Sequence, residues 1–464
     1  MKTETIAAVA TAMSNAGIGI VRISGEEAVS IADKIYRSKN QKKKLSDVKS
    51  HTIHYGFIYD GEDLIDEVMV AVMLAPKTYT AENTVEINCH GGVLIMNRIL
   101  ETVIKNGARL AEPGEFTKRA FLNGRIDLSK AEAVMDVIHS KNEFALKASV
   151  NQLRGSVYEK IKVLREEIIY EIAFIESALD DPEHISTEGY SEKLFEKVEN
   201  LLKRIDKLIA SSDNGKMLKE GINTVIVGKP NAGKSSLLNL LVGEEKAIVT
   251  DIAGTTRDVL EENIKLHGIG LNIIDTAGIR STEDVVEKIG VEKAKKYASD
   301  ADLIIYVVDS SVDFDESDEE IIKLIQGKNA IVLLNKTDLK AVITEQNLSI
   351  KLENTTEGKY KIIKTSTKEN TGIDIFEDTI KDMFFQDKLK MNDEVFITNM
   401  RHKEALQDAY NSLLMVKRSL EDDMPEDFYS IDLMSAYASL GMIIGEEVGD
   451  DLVNEIFSKF CMGK

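Results

Sequence analysis

Hydrophobic and polar positions follow three successive patterns along the chain. Up to about residue 120, short strand-like runs, GIGIVRI (17–23), EVMVAVML (67–74) and TVEINC (84–89), mix with the helical stretch GGVLIMNRILETVIKNG (91–107). This mixture of periods predicts a compact α+β domain over 1–120. From 121 to 215 the period turns helical. In KLFEKVENLLKRIDKLIASS (193–212), Leu194, Val198, Leu201, Ile205 and Leu208 recur at three- and four-residue steps and define one apolar face, the expected core of a helix bundle. Pro182 in DDPEH (180–184) interrupts the helical run, since proline disfavours helix in the residue before it.

Between 216 and 382 short apolar runs alternate with helical stretches: NTVIVG, LNIID, DLIIYVVD, NAIVLLN and YKIIKTS. Continuous apolar strands alternating with helices predict a mostly parallel sheet covered on both faces. After 383 the pattern is helical again to residue 464. The expected fold class is therefore multidomain: an α+β N-terminal domain, an α-helical domain split into 121–215 and 383–464, and an inserted α/β domain.

Composition narrows this picture. A chain of 464 residues suggests about three domains. No segment runs 18 apolar residues unbroken and no secretory leader pattern opens the chain, so a cytoplasmic protein is expected. Two cysteines, Cys89 and Cys461, cannot build a disulfide framework or a four-cysteine zinc site. The formal charge of −21 argues against broad, non-specific nucleic-acid binding, which needs cations to neutralise phosphates. The run NQKKKL (40–45) reads as a solvated loop. Cys89 and His90 make a weak metal pair, and His90-Gly91-Gly92 is expected to form a turn.

The chemistry is concentrated in the third pattern. GKPNAGKS, Gly228 to Ser235, follows a strand-like run and precedes the helical SLLNLLVG, which is the context a phosphate-binding loop needs. Its backbone N–H groups turn inward around phosphates at a helix N-terminus. Lys234 would pair the outer phosphates and Ser235 would ligate Mg²⁺. In DIAGTTRD (251–258), Thr256 is placed to close on Mg²⁺. DTAG (275–278) offers Asp275 to the metal's outer shell and the Gly278 amide to the γ-phosphate. In NKTD (335–338), Asp338 can accept two hydrogen bonds from guanine; adenine would leave this buried carboxylate unpaired. TSTK (365–368) would brace the base. The expected GTP contacts are Gly228, Asn231, Ala232, Gly233, Lys234, Ser235 and Ser236; Thr250, Asp251, Ile252, Ala253, Gly254, Thr255 and Thr256; Asp275, Thr276, Ala277 and Gly278; and Asn335, Lys336 and Asp338.

After DTAG comes Ile279, whose side chain cannot hold the attacking water by a hydrogen bond. Charge stabilisation must then come from elsewhere. The Asn231 carbonyl oxygen can hold a monovalent cation beside the outer phosphates, with backbone oxygens of Thr250 and Ile252 completing its shell. Glu287 can orient a water indirectly, and from the residues alone reads equally well as an exposed helix acid.

Taken together, GIGIVRISG (17–25), VEINCHGG (85–92), PGEFTKRAFLNGRIDLSKAEAV (113–134), GKPNAGKSSLLN (228–239), TDIAGTTRDVLEE (250–262), IIDTAGIR (273–280), VEKIG (286–290) and the terminal FCMGK (460–464) resemble the tRNA-modification GTPase family MnmE (TrmE) over essentially the whole chain. The resemblance implies an N-terminal tetrahydrofolate-binding and dimerisation domain, a split helical domain and an inserted GTPase domain. It also implies a homodimer, an FAD-dependent MnmG (GidA) partner and tRNA as target. An aminomethyl-type group would be added to carbon 5 of the wobble uridine, its one-carbon unit drawn from a tetrahydrofolate. FAD would belong to the partner. By the same resemblance, Asn231, Thr250, Ile252 and Thr255 would ligate K⁺, Glu287 would be the catalytic glutamate, and Arg22, Glu86, Arg125 and Lys464 would bind folate. Cys461, in the terminal motif, would lie near the folate site as a candidate catalytic residue, with a packing role as the alternative reading. Where the family usually has Ser/Thr-Tyr-Thr-Gly-Glu-Asp, this chain has TYTAEN (78–83). A GTP-dependent assembly factor without one-carbon chemistry also fits the isolated GTPase motifs. A metabolic kinase fits poorly, because NKTD selects guanine.

Overall fold

The computed structural model describes residues 4–39, 43–244, 262–266, 269–274, 297–353, 360–385, 397–461 and 463. By contact, the chain divides into two compact units: 1–135 with 152–201 and 408–464, and 136–151 with 202–407. No helix among the described residues is long and apolar enough to cross a membrane.

The first unit opens with β1 (Ile6–Val9), β2 (Ala16–Ser24), α1 (Ala28–Ile35), β3 (Tyr36–Ser38), β4 (Thr52–Asp60), β5 (Asp63–Met73), β6 (Thr84–Gly91), α2 (Val93–Lys105), β7 (Arg109–Leu110) and α3 (Glu115–Leu122). Seven strands form one sheet in the order β3-β4-β5-β6-β2-β1-β7, antiparallel except for the β1–β7 pair. Period-two alternation decides its faces. Val21, Ile23, Val68, Val70, Val72, Val85 and Ile87 point to one side and are buried under α1 and α2. The intervening Arg22 and Glu86 are directly paired across β2 and β6 and point to the other side.

The helical part comprises α4 (Leu128–His139), α5 (Glu143–Leu153), α6 (Ser156–Asp180) and α7 (Tyr190–Glu220). In α7, Leu194, Val198, Leu201 and Ile205 are all buried, as the three- and four-residue spacing requires, while Leu208, one turn further on, is half-buried.

The second unit contains β8 (Ile222–Val227), α8 (Lys234–Glu244), β9 (Glu262–Leu266), β10 (Ile269–Ile273), β11 (Leu303–Asp309), α9 (Glu316–Ile325), β12 (Ala330–Asn335), α10 (Glu345–Glu353), β13 (Tyr360–Lys364) and α11 (Ile373–Phe385). After it come α12 (Met400–Glu421), α13 (Glu426–Ile444) and α14 (Asp450–Ser458). The strand order is β13-β12-β11-β8-β10-β9, parallel throughout except for β9 against β10. Both faces are covered. Leu303, Ile305 and Val307 of β11 pack with Leu237 of α8 and Phe376 and Ile380 of α11. Ile304, Tyr306 and Val308 pack with Ile322 of α9 and Leu348 of α10. Burial on both sides explains why LIIYVVD and AIVLLN are continuous apolar runs rather than alternating ones.

One sequence expectation is corrected here. His90 and Gly91 are not a turn: β6 continues through both, and Gly91 pairs with Ala16. The strand is prolonged because Asp66 of β5 takes a hydrogen bond from the His90 amide at 2.8 Å and pairs with its Nδ1 at 2.7 Å. A side chain on Gly91 would come within 2.4 Å of the Ala16 carbonyl oxygen, so the glycine serves close strand approach.

In TYTAEN, Ala81 holds a left-handed backbone with φ 60°. This is a conformation that suits glycine and strains an L-residue. Ala81→Gly is therefore expected to stabilise the protein by about 0.5–1 kcal/mol, the relief of strain exceeding the added chain entropy of the unfolded state. Urea unfolding of the two proteins checks this; a less stable variant would show that the strain is not there.

Candidate functional site

The last residue of β8 leads directly into the loop 228–233, and α8 begins at Lys234. This loop is folded back on itself. The Lys234 ammonium donates to the carbonyl oxygens of Gly228 at 2.7 Å and Lys229 at 2.8 Å. Burial lowers the Lys234 ammonium from its ordinary 10.5, so an anion placed beside it would be favoured strongly. Asn231 has a left-handed backbone, φ 62°, and is exposed, as are Ser235 and Ser236; Ala232 is buried.

The adjacent parallel strands deliver the second half of the site. Asn335 ends β12 and is fully buried. Its amide nitrogen donates to the Ala232 carbonyl at 2.9 Å, and its amide oxygen accepts from the Thr367 backbone at 3.1 Å. One side chain thus joins the phosphate-type loop to the loop after β13. Gly233 stands where a Cβ would come within 2.2 Å of the Asn335 amide nitrogen, at φ 107°, so only glycine fits. Asp338 accepts from the Ser366 hydroxyl at 2.8 Å, which aims its carboxylate, and Thr337 donates through its backbone and hydroxyl to Thr365. The segment TSTK therefore does meet NKTD, as the sequence order suggested.

Sequence reasoning missed Asp309. It closes the buried run of β11 and receives the Lys336 ammonium at 2.6 Å and the Ser311 hydroxyl at 2.6 Å. An acid ending an otherwise apolar strand was the available signal. Burial alone would raise its carboxyl, but the Lys336 ammonium and the two Ser311 donors outweigh burial and hold it below the ordinary 3.8.

The folate candidates of the first unit are also gathered. Arg22 donates from Nε to Glu86 Oε1 at 2.8 Å, and from Nη1 to the Gly463 carbonyl at 3.2 Å. The guanidiniums of Arg22 and Arg125 lie 5.8 Å and 4.8 Å from the centre of the Tyr79 ring. Tyr79, which no sequence motif singled out, is thus common to both arginines. Cys461 is exposed, and its carbonyl accepts from the Gly114 amide at 3.3 Å. Cys89 is buried and donates to the Gly19 carbonyl; burial, with the nearby Asp66 charge, pushes its thiol up to about 11. Neither it nor His90 joins a metal-type cluster among the described residues. Thr250, Asp251, Ile252, Ala253, Gly254, Thr255, Thr256, Asp275, Thr276, Ala277, Gly278, Glu287 and Lys464 lie outside the described residues.

A glycine-rich loop between a parallel strand and a helix, tied by a buried asparagine to an Asn-Lys-x-Asp loop, defines a guanine-nucleotide-binding P-loop domain. Comparison with known proteins places the rest of the chain. Residues 5–125 match the family model for the GTP-binding protein TrmE N-terminus, and residues 128–461 match that for the MnmE helical domain. The tRNA modification GTPase MnmE of Lachnoclostridium phytofermentans is 59% identical over 100% of both chains. Those of Acetivibrio thermocellus and Clostridioides difficile are each 48% identical, covering 100% and 99% of this chain and the same shares of their own. The G domain of the T. maritima FeoB iron transporter is similar over 35% of this chain and 97% of that one at 26% identity, with a TM-score of 0.26, too low to carry weight. The chain belongs to the MnmE family of tRNA modification GTPases.

The Asp309–Lys336 pair gives a pH prediction. A carboxyl whose folded-state value is depressed contributes stability that is complete above its ordinary 3.8 and is lost as pH falls through the lower, folded-state value. The stability gap between the wild type and Asp309→Asn, read by denaturant titration, is therefore expected to be constant at neutral pH and to narrow below pH 3.8. A gap that does not narrow would mean that Asp309 is not stabilised as the anion.

Proposed function

We propose that this chain is a potassium-stimulated GTP hydrolase that works with an FAD-dependent MnmG-type partner on tRNA. Together they install a (carboxymethyl)aminomethyl group on carbon 5 of the wobble uridine, using a tetrahydrofolate one-carbon unit. The observation that carries the GTPase half is the Asn335 side chain, because it fixes the phosphate loop relative to Asp338. Asp338 accepts from the guanine N1–H and exocyclic amine, and Lys234 exchanges its two loop carbonyls for phosphate oxygens.

Ser235, at the exposed start of α8, suits Mg²⁺ as a hydroxyl ligand, with Thr256 as the second. The exposed Asn231 amide, on a left-handed backbone at the edge of the loop, has the oxygen donor that K⁺ takes, and Thr250, Ile252 and Thr255 would complete the set. When bound, the two ions supply positive charge beside the outer phosphates. Glu287 orients the water that Ile279 cannot. In the first unit, Glu86 keeps Oε2 for the aminopyrimidine edge of a pterin while Oε1 is held by Arg22. Arg125 and Lys464 would pair the acidic tail, and Cys461 would serve next to the same site. The chain works as a homodimer in the cytoplasm, and its working division is 1–120, 121–215 with 383–464, and 216–382.

GTP turnover in matched KCl and NaCl buffers tests the reading. The wild type is expected to turn over at least tenfold faster in KCl, and Asn231→Ala to lose most of that difference. Equal rates in the two salts would remove the potassium mechanism. Binding of 5-formyltetrahydrofolate, followed by calorimetry, is expected to weaken at least tenfold in Arg22→Ala. Unchanged affinity would leave the assembly-factor reading in its place.

A further inference from the structure

Lys229 is the second residue of the glycine-rich loop and follows no rule of phosphate binding, yet its side chain is mostly buried. Its ammonium has three N–H donors and meets three oxygens: Asp318 Oδ2 at 2.6 Å, Asp315 Oδ2 at 3.0 Å and the Asp313 carbonyl at 3.2 Å. Asp315 and Asp318 are the two members of the capping box that begins α9. Asp318 is 1% exposed, and its other oxygen takes the Tyr306 hydroxyl at 2.7 Å. The side chain of Lys229 is therefore fastened to a helix start that is itself fastened to the central strand β11. Its backbone faces the other way. The Lys229 carbonyl accepts both the Lys234 ammonium at 2.8 Å and the Ala232 amide at 3.3 Å. Between them, Pro230 has a fixed φ and Asn231 a left-handed one.

We propose that Lys229 is a positioning residue for nucleotide binding: its ion pair with the α9 capping box holds the outer arc of the phosphate loop in its binding shape before nucleotide arrives. This rests on the guanine-nucleotide reading of the loop and adds to it the element that preorganises the loop. A loop held in advance loses less freedom on binding, so releasing it weakens affinity without removing any contact to the ligand. Lys229 itself touches no phosphate, since its three donors are taken.

The test must separate positioning from fold stability, because Lys229→Met alone strands the buried Asp318 charge. Asp318→Asn removes that charge, so the informative comparison is Lys229→Met/Asp318→Asn against Asp318→Asn. Thermal unfolding of each protein accompanies a GDP titration, GDP being a probe that needs no hydrolysis. The two variants are expected to unfold at similar temperatures, with GDP bound at least fivefold more weakly by the double variant. Lys229→Arg, which keeps a cation on the same carboxylates, is expected to stay within twofold of wild type. Equal GDP affinity in the double and single variants would overturn the proposal. A wild type that binds ADP as well as GDP would instead overturn the guanine reading, and the same comparison with ADP would still judge Lys229.

Discussion

The nucleotide-type site depends on the satisfaction of one buried amide. Asn335 is inaccessible to water, so both edges of its side chain must find partners within the protein. It finds them in two different loops, the carbonyl of Ala232 on one side and the amide of Thr367 on the other. Leaving either partner unmade would cost about 1–3 kcal/mol of desolvation, so the two loops are held at one separation. That separation sets the span between a phosphate cradle and a base pocket. It also dictates Gly233, whose missing Cβ is the room Asn335 occupies.

Around this join the sheet acts as a rigid frame. The strands that carry the loops, β8, β11 and β12, are adjacent and parallel, so their C-terminal ends open on the same edge. Tyr306 and Asp309, three residues apart on β11, serve the two flanks: Tyr306 supports the Asp318 end of the Lys229 clamp, and Asp309 receives Lys336. The polar groups on these two flanks are thus fastened to a fully buried strand of the unit. Their positions are set by packing rather than by the loops' own preferences.

What could be read from the chain differs between local and non-local features. Strands such as LIIYVVD and AIVLLN were legible because burial on both faces writes itself as an unbroken apolar run. The face of α7 was legible because its period is local. The glycine-rich loop and NKTD were legible as residue strings of fixed spacing. The pairs that brace them were not, since Lys229 and Asp318 are joined across 89 positions only by the fold. His90 and Gly91 were misread for the same reason: Gly-Gly signals a turn locally, while the acid that prolongs the strand sits on β5. The Arg22–Glu86 pair and the Gly463 carbonyl come together over more than 400 positions, a meeting that no local pattern signals.

The charge arrangement bears on how the site meets an anionic nucleotide. Lys229, Lys234 and Lys336 lie in or beside the glycine-rich loop and NKTD, but they are not equivalent. Lys229 is neutralised by Asp315 and Asp318, and Lys336 by Asp309. Each spends its charge on internal carboxylates and adds little net field at the phosphates. Lys234 is bonded only to neutral carbonyls, so its full charge is available to a ligand. One ammonium cannot balance the several negative charges of a triphosphate, least of all in a chain whose net charge is −21. The isoleucine at position 279 itself brings no polar group to assist. The fixed cations build the shape of the loop, and the potassium mechanism proposed above would leave the remaining charge to ions that arrive with the nucleotide.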